Sequence, residues 1–336
     1  MRYTAGLIAL TSLSLGTVAS AQDLGFSYAL ELEVGASSIT SAPTTAEELT
    51  DVYASATAEL NYNFGNGFSA FAELTFESVT DPVDNRAFED MGLYIGALGV
   101  TYATDKFSVT AGKFAPAFGM AWDETPGFYG ADFAEDYELG EALGASVEVA
   151  IAGDHTLTAS VFYTDTTALS NSWGTKRGRT TLADGGAGNT EKFNNFALQL
   201  TGSFGETSYN LSARKLSAGL GDVSDETGVS LGLAHTLDFA GNELTVMAEF
   251  ARFSGFGGTA DDVTYATFGA AYGIGNYTLN AAYTARNGVG GLNDKLGSFG
   301  VDYDFGNDLT ASVGYAQMLS AGGSYRALGL SLVKEF

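Results

Sequence analysis

Residues 112–137 set five carboxylates, Asp123, Glu124, Asp132, Glu135 and Asp136, among the aromatic side chains Phe118, Trp122, Phe128, Tyr129, Phe133 and Tyr137. Two of the chain's four prolines fall in the same stretch. An apolar, aromatic loop left in water is costly. Packed against a wall, it would bury its rings and turn its acids toward open space. Two arginines are placed to face such acids. Arg214 follows Asn210 and Ser212 at alternate positions, and Arg286 follows Asn280 and Thr284. Carboxylates opposed to guanidiniums across a narrow aqueous gap make a transverse field, which orients dipolar solutes and slows apolar ones. The competing readings are that the segment only caps a mouth, and that each arginine pairs locally with a carboxylate such as Glu59, Glu73 or Glu249. Parity or loop position leaves the direction of Arg86, Lys113, Arg252 and Arg326 open.

Other chemistry finds little support. With no cysteine and two histidines, neither disulfides nor a Cys- or His-based metal centre is expected. His155 lies at a short turn, and His235 shares a face with Val229, Leu231, Leu233 and Leu237, so neither suits a catalytic base at a rim. A glycosidase built on carboxylates alone has no supporting motif here. Asp81, Asp84, Glu89 and Asp90, and further on Asp261 and Asp262, are hard oxygen donors of the kind Ca²⁺ takes. Their spacing matches no EF-hand loop, so solvated rim charge is the default and no cofactor is expected, a loop-bound Ca²⁺ being the one candidate. A net charge of −25 argues against nucleic acid as a partner.

These residues need elements to hold them, and the sequence supplies strands. From 52 to 64, Val52, Ala54, Ala56, Ala58, Leu60, Tyr62 and Phe64 fall on one face, and Tyr53, Ser55, Thr57, Glu59, Asn61 and Asn63 on the other. Only a strand separates the two sets in this way. The alternation recurs along the chain, between Gly-, Asn- and Asp-rich turns near 65–67, 104–106, 152–154, 205–206, 240–242, 275–276 and 306–307. Longer polar stretches intervene at 37–50, 80–89, 115–137 and 164–192, with shorter ones near 218, 258, 290 and 321. The punctuation predicts sixteen strands, near 25–36, 51–64, 67–79, 90–103, 106–114, 138–151, 155–164, 193–204, 207–217, 227–239, 243–254, 262–274, 276–286, 295–305, 308–318 and 324–336. Abundant Gly (44), Phe (23) and Tyr (17) beside four Pro agree with many strands joined by tight turns.

Short turns at one end and long loops at the other is the asymmetry of a transmembrane barrel. Arg2, the apolar run 5–18 and the small residues Ala19-Ser20-Ala21 predict an export signal over 1–21, with the barrel over 22–336. That run is too short for a membrane helix, so a membrane-spanning chain has to close as a barrel. Phe64, Phe68, Phe204, Phe239, Tyr277 and Phe305 sit beside the short turns on the apolar face, where an aromatic girdle belongs. Tyr53, Phe71 and Tyr265 are expected to point inward. The fold class expected is all-β: an antiparallel up-and-down transmembrane barrel of sixteen strands. Its turns would be periplasmic and its long loops external, with a constriction loop at about 115–137.

With its signal peptide, its terminal strand 328–336 ending in Phe336, and its long loop after the fifth strand, the chain resembles Gram-negative outer-membrane porins of the alphaproteobacterial kind. Lys334 departs from the alternation near the end, where it can snorkel to the headgroups. The resemblance implies a homotrimer of water-filled barrels in the outer membrane, with the third external loop folded inward. Small polar solutes and ions would diffuse through, with a weak preference for cations on this acid-rich wall, and outer-membrane lipids would surround it. The alternatives are a substrate-specific porin for a sugar or other small nutrient, and a structural or adhesive barrel. An enzyme is not expected.

Overall fold

The computed structural model describes residues 24–288 and 293–336. The expected export signal, 1–21, and the apex near 290 lie outside the described residues. The long strands are β1 (Gly25–Ser41), β2 (Leu49–Gly65), β3 (Phe68–Ser78), β4 (Met91–Ala103), β5 (Phe107–Phe114), β6 (Ala142–Ala152), β7 (His155–Thr164) and β8 (Asn195–Phe204). They continue as β9 (Thr207–Leu216), β10 (Glu226–Phe239), β11 (Asn242–Ser254), β12 (Asp262–Ile274), β13 (Tyr277–Gly288), β14 (Asn293–Asp304), β15 (Leu309–Ser320) and β16 (Gly323–Glu335). Each pairs antiparallel with the next, and β16 returns to β1 with Val34 opposite Leu332 and Ala36 opposite Leu330. The sheet is therefore a closed barrel, and closure removes the edges that lipid would leave unsatisfied. Two-residue strands at Arg86–Ala87 and Trp173–Gly174 pin loops onto β2 and β4.

Alternation decides which side chains meet the outside. Leu32, Val34, Val229, Leu231, Leu233, Phe250, Phe268, Phe299, Val313, Leu328 and Leu330 are exposed, whereas their polar or small neighbours point inward. A continuous exposed apolar band has no place in water and is what a lipid-facing wall requires. At the short-turn rim Phe64, Phe68, Phe204, Phe239, Tyr277, Phe305 and Phe336 are all more than half exposed, with Phe204 at 69%. Rings along this rim contact one another, Phe68 with Tyr102 and Tyr303 with Phe305, each at 4.7 Å between centroids. Lys334 donates to the carbonyl of Asn307 at 2.8 Å and lies over the Phe336 ring at 4.5 Å, so its charge leaves the apolar band for the turn.

The elements depart from the sequence expectation in three places that matter for the interior. β1 runs to Ser41 instead of ending near 36, because it finds partners on both sides, β2 and β16. β6 starts at Ala142, so the loop after β5 keeps 138–141 off the ladder, with Glu138 beside Arg214 in place of a strand partner. In β5, Gly112 adopts a φ of +142°, where a Cβ would lie 2.3 Å from the Leu98 carbonyl. This break in the pleat follows inward-facing Ser108 and Thr110 and brings Lys113 inside as well, fully buried. Parity alone could not have placed that lysine.

The second long loop is tied down from inside. Arg86 is buried and grips Asp51 with two hydrogen bonds, of 2.6 and 2.5 Å, while its remaining nitrogen reaches the Thr80 carbonyl at 2.9 Å. Removing one partner of a buried pair leaves an uncompensated charge, at a cost of about 3–5 kcal/mol. Asp51→Ala should therefore lower the urea midpoint of the folded barrel, read as the compact band on unheated gels. An unchanged midpoint would show that the loop does not contribute to stability.

Candidate functional site

Residues 115–141 leave the barrel rim after β5 and are bonded to inward-facing side chains far round the wall. The Gly119 N–H donates to Ser212 Oγ (3.1 Å), and its carbonyl accepts from Asn210 (2.8 Å) and Gln199 (3.1 Å). The Met120 N–H donates to Glu249 at 2.5 Å, and the Tyr137 hydroxyl donates to the other oxygen of the same carboxylate at 2.7 Å. One buried carboxylate on β11 thus holds both legs of the segment. Between those legs Tyr129 reaches Ser37 on β1 at 2.9 Å.

Glycines on the wall accommodate the segment. A Cβ at Gly232 would lie 2.1 Å from Met120 Sδ, one at Gly269 2.6 Å from Pro126, and one at Gly329 2.3 Å from Phe128. Each of these glycines faces inward, where a larger side chain would lift the segment off. Single glycines at inward positions of a strand, which the alternation left unused, are the sequence signal that could have revealed this footing. Phe118, Tyr137, Phe253 and Tyr265 pack together where the segment meets β11 and β12, with Tyr137 4.7 Å from Tyr265 between ring centroids. Phe118, Tyr129, Phe133 and Tyr137 of the segment are thereby buried, with Trp122 and Phe128 partly buried against them.

The seven charged residues singled out from sequence part into groups. Asp136 and Arg286 come together at 2.6 Å, and the Tyr265 hydroxyl donates to the same Asp136 oxygen at 3.0 Å. Arg286 also binds Asp294 and stacks over Phe133 at 4.8 Å. Arg214 is buried and faces inward, but its partner is the wall residue Glu226 at 2.6 Å, with the Tyr137 carbonyl as a second acceptor. That is the local-pairing alternative. Asp123 and Glu124 belong to a four-residue helix, Ala121–Glu124, with Glu124 exposed and Asp123 partly buried. Asp132 lies with Glu135 and Asp136; burial first, then those two neighbours, push its pKa well above the ordinary aspartate value. Burial does the same for Glu138, helped by Asp123 and opposed by Arg214.

The opposite arc carries acids that sequence reasoning did not group. Glu31 and Glu33 on β1, Glu59 on β2, and Glu73 and Glu77 on β3 all lie on the inward face. Glu59 stands directly across from Glu73 in the ladder. Like charges in opposed positions are unfavourable, and no described lysine or arginine forms an ion pair with any of these five carboxylates. A β-bulge between β3 and β4 makes room for Glu73, because a Cβ at Gly96 would fall 2.0 Å from its carboxylate. Tyr53 donates to Glu33 at 2.9 Å and Tyr94 to Glu77 at 2.6 Å. Tyr53, Phe71 and Tyr265 do face inward, each buried.

The inward-facing cations are already answered. Lys113 pairs with Glu141 and, at 3.1 Å, with Asp165; Arg214 pairs with Glu226; Arg286 pairs with Asp136 and Asp294. Arg252 and Arg326 are exposed on the outer face. In the second loop Asp84 accepts from the Thr50 N–H and Asp90 from Thr80, and no group of three or more acidic or histidine side chains among the described residues is arranged to hold a metal ion.

This architecture defines a class: a sixteen-stranded antiparallel barrel with an apolar outer band and a polar interior has the fold of the Gram-negative outer-membrane porins. No family model matches the chain, and no curated protein matches it in sequence. Solved structures do. OmpF of Salmonella typhi, determined in complex with daunomycin, superposes with a TM-score of 0.67 at 10% identity over 93% of this chain and 98% of that one. OprB of Pseudomonas putida gives 0.64 at 11%, covering 93% and 94%. A mutant of the Rh. blastica porin gives 0.61 at 15%, covering 93% and 100%. At these identities the likeness establishes the fold.

Proposed function

We propose that the chain is an outer-membrane porin, a channel for passive diffusion of small hydrophilic solutes and ions that prefers cations weakly. The observation that carries the reading is the division of the interior. Residues 115–141 take their footholds on β8 to β13, β15, β16 and β1, and the arc of Glu31, Glu59 and Glu73 carries carboxylates that form no ion pair with a described lysine or arginine. A constriction of this kind sets a loop edge bearing Asp123, Glu124, Asp132, Glu135 and Asp136 against an acidic wall. Arg286 and Arg214 then serve as neutralised anchors in place of an opposing positive face. An acid-dominated path raises the local concentration of cations. The low-identity likeness to outer-membrane channels supports the outer-membrane location, and the homotrimer rests on the resemblance of the sequence to porins. The alphaproteobacterial type rests on the terminal strand and the long loop after β5.

The test is reconstitution of the mature chain into a planar bilayer under a KCl gradient. Discrete steps, often in threes, with a cation-selective reversal potential are the expected result. Anion selectivity would overturn the electrostatic half of the reading, and a folded barrel without conductance would overturn the channel itself.

A further inference from the structure

At the long-loop end the inner wall changes character. Ile39 on β1, Leu296 on β14 and Met318 on β15 are large apolar side chains on the inward face, each buried, at positions that elsewhere carry polar groups. Tyr129 and Phe133 of the 115–141 segment also line the cavity that remains between wall and segment, together with Pro82 of the second loop. Most of its lining is apolar, which is an unfavourable surface to keep wet in the mouth of an aqueous pore.

One edge of the cavity is charged, and the charge has a sign. Asp51 is matched by Arg86, whereas Arg286 is shared between Asp136 and Asp294. Asp132 also lines the cavity, and among the described residues no lysine or arginine lies within ion-pair distance of it. Asp136 and Asp294 outnumber the one Arg286 they share, so the edge is net negative, while the body is apolar and carries three aromatic rings, Tyr129, Phe133 and Tyr325. A cation arriving at Asp132 favours the ionised form of its carboxyl. A neutral solute would waste the carboxylate edge, and an anion would be repelled by it. A small hydrophilic cation would leave the apolar wall wet.

We infer that this cavity is a binding site for amphipathic organic cations, amines carrying an aromatic or short alkyl body. The apolar body lies between Ile39, Leu296 and Met318 on one side and Tyr129 and Phe133 on the other, and the ammonium sits at Asp132. The inference rests on the channel reading, since the cavity lies in the mouth through which solutes would enter. Occupancy there would obstruct the path and appear as an interruption of current.

The experiment adds benzylammonium to the long-loop side of the reconstituted channel in KCl, with ethylammonium and benzyl alcohol as comparison probes. Benzylammonium should interrupt the current at concentrations about tenfold lower than ethylammonium, as burial of a ring predicts, and benzyl alcohol should not interrupt it. Asp132→Asn should weaken the block several-fold, and so should Met318→Trp, which fills the cavity; the compact band on unheated gels checks that each variant is folded. Equal potency of the two amines, or a block unmoved by both variants, overturns the inference. No block in a channel that conducts KCl also overturns it, and leaves the channel reading standing. If the folded chain conducts nothing, the channel reading fails. Saturation-transfer NMR with benzylammonium on the detergent-folded barrel then decides the site, a signal lost in Asp132→Asn supporting it and no signal overturning it.

Discussion

Glu249→Ala is expected to convert a steady channel into a noisy one with larger single-channel steps. Glu249 is buried and receives the Met120 N–H and the Tyr137 hydroxyl, from the two legs of the 115–141 segment. Without the carboxylate both donors lose their acceptor inside a wall that offers no replacement, at about 1–3 kcal/mol each. Since 1.4 kcal/mol is a factor of ten, the docked segment should lose at least about tenfold in its favour over released states. Glu249→Gln keeps one acceptor oxygen and should fall between the two. The readout is open-channel noise and step size in planar bilayers. Steps identical to those of the unmodified chain would mean that the segment does not define the narrow part of the path. The footing then offers a second way to reach the same outcome, because a side chain at Gly329 would press on Phe128. Gly329→Val should lift the middle of the segment without touching any charge, and so separate loss of docking from loss of the Glu249 carboxylate.

The second large effect is on selectivity. Glu59→Gln combined with Glu73→Gln should bring the reversal potential in a KCl gradient close to zero. A unit charge acting on an ion a few ångströms away in an aqueous pore is worth about 1 kcal/mol. Salt screens most of that in a wide pore, so the two substitutions together should lower the weak cation-to-anion permeability ratio by a factor of roughly two to three. The same substitutions predict a stability change of the opposite sense. Glu59 and Glu73 oppose each other across the ladder, and such like-charge pairs cost about 0.2–1 kcal/mol. The glutamine variant should therefore be at least as stable in urea as the parent while being less selective. A variant that lost stability and kept its selectivity would assign the pair a structural role and remove it from the permeation path.

Much of the wall was legible in the sequence because its determinants are local. Alternation along 52–64 fixes which of Tyr53 and Val52 meets the interior, and no distant residue is needed to know it. Turn chemistry at Gly65-Asn66-Gly67 and its counterparts set where strands end, so the expected and observed bounds of β2, β11 and β12 nearly coincide. The exposed Phe204, Phe239 and Phe305 followed from the same parity together with their nearness to turns. Local rules failed where partners had to be known. β1 outran its expected end because β16 extended its ladder, and Lys113 turned inward because Gly112 leaves the ordinary pleat.

The charges show the same division. From sequence, Arg214 and Arg286 were equivalent: both follow polar residues at alternate positions near the loop end of a strand. The tertiary structure gave Arg286 to Asp136 and Arg214 to Glu226, because register places Glu226 at the start of β10 opposite Leu216 and within reach of the guanidinium. It also gathered Glu31, Glu33, Glu59, Glu73 and Glu77, which lie as much as 46 positions apart in the chain, onto one arc. The sequence by itself determined the class of fold, the direction of most wall side chains and the location of the aromatic rim, since each depends on a two-residue period and on turn residues. The path of residues 115–141, the glycine footholds it uses, the pairing of the interior cations and the acidic arc were decided only when the barrel closed. They depend on cross-strand register and on packing between residues the chain itself holds far apart.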